Sequence, residues 1–219
     1  MRTALAILRK DLTLELRTFE TLPAMLLFSL STFVIFHFAL NRSTIDGQLA
    51  AGVLTVTLLF AALLGVNRLF VAEREQGGFD GFLLAPVDRN GLLIAKASAL
   101  CLFLVVLELL MVPAFKLLLL GTGLQPGLFA VLALANVGIA VIGTFVSAIA
   151  VHTRARDLIA PIIGLPLLIP LLIATARGIG PTFATHAQGV PSKWLLFLAL
   201  YDLVFALLAY AVFDFLLED

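Results

Sequence analysis

Charge is scarce in this chain. Only 13% of its 219 residues are Asp, Glu, Lys or Arg, about half the ~25% of an ordinary soluble domain. The formal charges cancel to zero, so there is no broad basic field to attract nucleic acid. A single cysteine, Cys101, lies inside an apolar run. That excludes an internal disulfide and a cysteine-rich metal site. No glycine is directly followed by lysine, so the chain lacks the Gly-x4-Gly-Lys-Ser/Thr loop that cradles nucleotide phosphates. His-Glu-x2-His is absent too, and the "GTGLQPG" turn at 121–127 follows no strand and is no dinucleotide fingerprint. Without a nucleophile–base pair or a metal cluster, an enzyme reading is disfavoured. The opening "MRTALAILRKDLTLELR" carries charges throughout, unlike the apolar core of a secretory signal.

Apolar residues are what is abundant. They make up 62% of the chain, against about 45–50% in a soluble domain, and the mean hydropathy is +1.13. That excess is too large for one soluble core and points to lipid as solvent. Six runs approach the ~20 apolar residues that a helix needs to cross a bilayer: 22–40, 49–66, 92–120, 128–151, 158–176 and 194–217. The third is long, with Pro113 and Lys116 near its far end, and reads as a span followed by an interfacial continuation. The runs are continuous rather than alternating, which favours helices over a barrel. The expected fold is therefore an all-α integral membrane protein with six transmembrane helices, forming one domain over 1–219.

Lys and Arg set the expected orientation. With the N-terminus in the cytoplasm, ten lie inside (Arg2, Arg9, Lys10, Arg17, Arg68, Arg74, Arg89, Lys96, Arg154, Arg156) and four outside (Arg42, Lys116, Arg177, Lys193). Both termini are then cytoplasmic, and Trp194 sits at the outer interface. Leu5, Leu8, Leu12, Leu16 and Phe19 recur every three or four residues. Residues 1–20 thus read as an amphipathic helix on the cytoplasmic membrane surface, or as one packed on another protein.

Ionisable residues inside spans default to functional candidates. Glu108 and Asp202 fall in the outer halves of spans three and six and can share a depth. They are candidates for an intramembrane polar path. The structural alternative is a carboxyl held neutral, or one paired with Lys116 or Arg177, fixing one helix against another. Asp214 lies near the inner end, where it is hydrated. His37, near the outer end of span one, and His186, in the outer loop, are candidate haem contacts through imidazole nitrogen.

The polar break is "EREQGGFDGFLLAP" at 73–86, within a cytoplasmic loop over 73–90. Phe79, Phe82 and Leu83 recur at helical spacing, Asp80 opens the short helix and Pro86 lies past its end. Gly77 and Gly78 permit the turn that enters it. Exposed Phe79, Phe82, Leu83 and Leu84 need burial, which a groove on a partner supplies. Glu73, Arg74 and Glu75 would make the polar contacts there. Arg154 and Arg156, on the same face, either brace this loop or serve the charge orientation.

The pattern Glu75, Gly77, Asp80, Leu83, Leu84, Pro86, followed by Lys96, resembles the loop between spans two and three of type-2 ABC exporter permeases. The stretches at 63–96 and 137–174, with Arg68-Leu69-Phe70 and Thr153-Arg154-Ala155-Arg156, are similar to the CcmB family, the permeases of cytochrome c maturation. The resemblance implies that the loop is a coupling helix seated on a separate CcmA-like ABC ATPase, with ATP bound only by that partner. It implies a bacterial inner-membrane location, a second copy of the chain, CcmC-like and CcmD-like membrane partners, and a CcmE-like haem chaperone, with haem as candidate substrate and no resident cofactor. The rival expectations are an ABC permease exporting lipid, drug or polysaccharide, and a scaffold without transport.

Overall fold

A computed structural model of the chain describes residues 2–41, 44–70, 89–151, 156–186 and 188–216; for residues 2, 89, 151, 156–160 and 214–216 it describes the backbone alone. The named elements are seven α-helices and one short 3-10 turn: α1 (Arg2–Thr18), α2 (Thr21–Ala39), α3 (Gly47–Arg68), α4 (Arg89–Leu118), α5 (Pro126–Val151), α6 (Arg156–Ile179), the turn Gly180–Phe183 and α7 (Ser192–Leu216). Six of the helices are long and apolar enough to cross a membrane. In hydrocarbon no water is present to satisfy a bare backbone amide, so each apolar run closes its hydrogen bonds within itself. Among the described residues no strand forms, and the only pairing of that kind is an isolated bridge between Ile45 and Leu120.

The third run, read as a span followed by an interfacial continuation, is continuous. α4 is one helix of 30 residues that runs through Pro113 to Leu118. A proline removes one ladder bond, a loss that packed membrane helices absorb. At about 1.5 Å per residue the helix is roughly 45 Å long, longer than the ~30 Å hydrocarbon layer. Its last turns therefore project to the end of the bundle.

α3 and α5 are the inner helices. α5 packs against α3, α4, α6 and α7, while α3 packs against α2, α4, α5, α6 and the 3-10 turn. α2 and α7 are peripheral and expose Leu27, Ile35 and Phe38, and Leu196, Leu203 and Leu207. Lipid tails are as apolar as leucine, so close packing rather than hydrophobicity must hold such helices together. Gly143 shows how. A Cβ there would come within 2.6 Å of Val66 Cγ2, so glycine lets α3 and α5 approach. Ser147 Oγ then donates to the Val66 carbonyl at 3.2 Å.

α6 carries Pro161, Pro166 and Pro170 and continues through all three. The Tyr201 hydroxyl on α7 donates to the Leu167 carbonyl at 2.6 Å, within the turn that Pro170 loosens. One bundle end carries the ends of residues 69–89, and is called the loop end here. At the far end the short connections are tied together. Ile45 N donates to Leu119 O at 2.8 Å, and Thr185 Oγ1 donates to Asp46 Oδ2 at 2.8 Å. Phe33, Phe115 and Phe183 pack there in a chain of rings, with centroids 5.1 and 5.8 Å apart.

Candidate functional site

The expected coupling residues Glu73, Arg74, Glu75, Gly77, Gly78, Phe79, Asp80, Phe82, Leu83, Leu84 and Pro86 lie outside the described residues. Phe70 and the start of α4 are described, and α1 with the residues just after it is tied to this end of the bundle. Asp11 Oδ2 lies 2.9 Å from Lys96 Nζ on α4, and Asp11 Oδ1 lies 3.2 Å from Lys10 Nζ. Lys96 is only 2% exposed, and its ammonium sits 5.3 Å from the centroid of the Phe70 ring. Such a cation is held by the carboxylate and by the ring's negative face together. One turn on, Glu15 Oε1 accepts from the amides of Thr21 and Leu22 at 2.9 and 2.7 Å. These are otherwise orphan donors at the start of α2, and a carboxylate is favoured at that helix end. Glu20 then pairs with Arg68, the last residue of α3, at 2.7 Å. The α1–α2 junction therefore touches both ends of the loop and the first turn of a span.

The sequence reading found α1 by its leucines and missed this acidic face. Leu5, Leu16 and Phe19 are exposed, whereas Asp11 and Glu15 are buried. A signal was available, because two carboxylates four residues apart share one face of an otherwise basic helix. Phe19 ends α1 in the left-handed region, at φ 49°, which turns the chain sharply into α2. Arg154 lies outside the described residues, and of Arg156 the backbone alone is described.

The intramembrane carboxylates converge on α5 from two sides. Asn136 Nδ2 donates to Glu108 Oε2 at 2.9 Å, joining α5 to α4. Asp202 is buried where a Cβ at Gly138 would overlap its Oδ1 and would approach Leu171 Cδ1 to 2.6 Å. Positions 136 and 138 are two residues apart, so they differ in height by about 3 Å and lie on different faces of α5. Lys116 and Arg177 are exposed and, among the described residues, ion-pair with neither acid. Asn136 is the partner that sequence reasoning missed; nothing in the local pattern reveals which neighbouring helix faces Glu108. Of Asp214 the backbone alone is described.

His37 and His186 both lie at the far end. His186 is exposed beside Thr185. His37 Nδ1 lies 2.6 Å from the Leu118 carbonyl oxygen. A carbonyl can only accept, so Nδ1 carries the proton. The ring also stands edge-on to Phe38, with centroids 5.2 Å apart. Among the described residues no group of three or more His, Cys, Asp or Glu side chains could hold a metal ion.

The sequence profile of the CcmB protein family matches residues 2–215. This chain belongs to the CcmB family. Its CcmB-family relatives include "Heme exporter protein B" of Rhodobacter capsulatus, 30% identical over 174 residues covering 78% of this chain and 80% of the relative. The protein of the same name in Paracoccus denitrificans is 33% identical over 177 residues, 80% and 81% of the two chains. That of Bradyrhizobium diazoefficiens is 30% identical over 202 residues, 91% of each. The CcmB-family match takes in α1, the loop and all six spans, so it covers both the junction at the loop end and the histidines at the far end.

Proposed function

We propose that this chain is the membrane permease subunit of an ABC transporter that exports or handles haem for cytochrome c biogenesis. The observation that carries the reading is the family match over 2–215, with relatives named for haem export over four-fifths or more of their length. A bundle exporting lipid, drug or polysaccharide would share six spans and a loop, and no feature of this chain favours that cargo.

In this reading the loop end faces the cytoplasm of a bacterial inner membrane. The chain has no phosphate-cradling loop of its own, so ATP is hydrolysed by a separate CcmA-like subunit. Two copies of the chain each seat their loop on one ATPase subunit. Phe79, Phe82 and Leu83 anchor it, and Glu73, Arg74 and Glu75 make polar contacts. When the ATPase subunits close, the loop is pushed. Asp11–Lys96, Glu15 and Glu20–Arg68 oblige α1, α2 and the ends of α3 and α4 to move with it, because each contact ties α1 or the residues just after it to a different helix. CcmC-like, CcmD-like and CcmE-like proteins then receive or release haem at the far end.

Phe82→Asp tests the docking role. It places a charge in the anchor, and removes co-purification with the ATPase while leaving membrane insertion intact. Normal complex formation and normal ATP turnover in that variant would falsify the role. Haem staining of c-type cytochromes in cells lacking the chain tests the cargo; undiminished staining sinks the haem reading.

A further inference from the structure

We infer that Glu108 binds a proton within the bilayer and shares it with Asn136, so that the two side chains close an acid–amide pair that clasps α4 to α5. The ligand of this site is the proton itself. The inference goes beyond the export reading and does not depend on it.

Glu108 lies in the span Asn90–Leu118 and Asn136 in the span Pro126–Ala150. One bond between them is in place, from Asn136 Nδ2 to Glu108 Oε2 at 2.9 Å. It leaves each group with a second oxygen. Glu108 Oε1 and Asn136 Oδ1 are both buried, and neither has a hydrogen-bond partner among the described residues. A carboxylate offers only acceptors, and an amide oxygen is an acceptor too. If Glu108 were ionised, the contact would hold two orphan acceptors and a charge in a medium that penalises both. One proton on Oε1 removes each of these costs. It neutralises the carboxyl, gives it a donor, and finds in Asn136 Oδ1 an acceptor that otherwise has none.

Covalent geometry favours this pairing. Each orphan oxygen is one carbon away from an atom of the existing bond. The end torsions of Glu and Asn are soft and roughly two-fold, so their rotation turns Oε1 towards Oδ1 while Nδ2 keeps Oε2. The two bonds then run side by side, as a carboxylic acid and a primary amide pair. Asn136 is only 1% exposed, so its amide has no solvent to turn to.

No other cation is placed to do the same work. α5 carries no charged residue. On α4, Lys96 is paired with Asp11, and Lys116 is exposed. On α1, Glu15 is engaged at the start of α2. The basic residues of the last turns of α2, α3 and α6 are His37, Arg68 and Arg177, all at helix ends. On α7 the Tyr201 hydroxyl is given to Leu167. The titratable groups left are Cys101, two turns before Glu108 on α4, and Asp202, on another face of α5, and neither brings a positive charge. A hard metal ion would need about six oxygens, and no group of three or more His, Cys, Asp or Glu side chains could hold one among the described residues. The proton therefore sets the seam between α4, which begins at the loop end, and α5, an inner helix. Its loss leaves a carboxylate facing Asn136 Oδ1 and loosens the clasp.

The test is infrared spectroscopy of the full-length chain, purified in lipid nanodiscs at neutral pH, in H2O and in D2O. The wild type should show the carbonyl band of a protonated carboxyl, shifted down in D2O, and Glu108→Gln should lose it. That variant keeps both hydrogen bonds as an amide–amide pair, so it should unfold in mixed micelles at the SDS content of the wild type. Asn136→Leu should keep the band and move it to higher frequency, because the acid loses its acceptor and its donor; a purely structural role would not move it. Any band from Asp202 is common to these spectra and cancels on subtraction. As the pH is raised until the Glu108 band disappears, the SDS content needed for unfolding should fall further in the wild type than in Glu108→Gln. Identical spectra for the wild type and Glu108→Gln would overturn the proton site. A band unmoved in Asn136→Leu would overturn its sharing with Asn136, and an equal fall with pH in both proteins would overturn the clasp. None of these outcomes touches the export reading, which stands or falls on the staining of c-type cytochromes.

Discussion

Replacing Asp11 with asparagine removes the carboxylate that faces Lys96 and leaves the volume nearly unchanged. At 2.9 Å the pair's gross attraction is about 6 kcal/mol with an effective dielectric constant of ~20. Much of that is offset by the desolvation of two buried charges. The loss expected on breaking the pair is therefore the penalty of the group left behind, about 3–5 kcal/mol for a deeply buried partner. The two single variants should differ. Asp11→Asn takes the Asp11 carboxylate from an ammonium only 2% exposed, whereas Lys96→Met leaves Asp11 beside Lys10. Lys96→Met should accordingly cost less, about 2 kcal/mol. The Asp11→Asn/Lys96→Met double variant removes both charges of the pair and should lie within about 1–2 kcal/mol of wild type. The assay is unfolding of the purified protein in mixed micelles of rising SDS content, followed by circular dichroism. On the coupling proposed above, ATP turnover with the ATPase partner, measured alongside, should fall in both single variants and recover partly in the double. Single-variant losses that simply add in the double variant, or that each stay below about 0.5 kcal/mol, would refute the reasoning.

Glu15→Ala removes two acceptor contacts from the first turn of α2 and should cost about 0.5–2 kcal/mol, read in the same SDS titration. Glu20→Gln should change stability by less than about 1 kcal/mol, because the pair with Arg68 is exposed and screened; a larger loss would mean the pair is shielded in the assembly. Gly138→Ala should cost about 1–3 kcal/mol through overlap with Asp202 and Leu171. Adding Asp202→Ala makes room, so the double variant should lose less than the sum of the two, and strict additivity would show that the two residues do not touch.

The spans could be read from the sequence because hydrocarbon leaves the chain one solution. A long apolar run must close its own hydrogen bonds, and six runs did so. The length of α4 could not be read in the same way, since Pro113 looks like a boundary until neighbouring helices are known to hold it. The leucines of α1 were visible at helical period, and they drew attention from Asp11 and Glu15 on the other side. Glu108 and Asp202 were recognisable as costly residues inside spans. Their neighbours, Asn136 and Gly138, come from a helix whose rotation no local pattern reveals. The link from His37 to Leu118 was invisible for a further reason. Its acceptor is a backbone carbonyl, which every residue possesses. The coupling residues between Glu73 and Pro86 remain the reading of a motif, for they fall outside the described residues.

α3 behaves as a drive shaft. Its 22 residues span roughly 33 Å, and it packs against four other spans while Leu49, Val56, Phe60 and Leu64 stay exposed along one stripe. A helix packed over most of its surface resists bowing under a thrust, because a close-packed interior resists compression. A displacement of Arg68 along the axis therefore arrives at Asp46 with little loss. There it meets the Ile45–Leu120 bridge and the bond from Thr185, which join the shaft's tip to the connections before α5 and α7. Work delivered on one side of the bilayer would be felt on the other without any side chain having to cross.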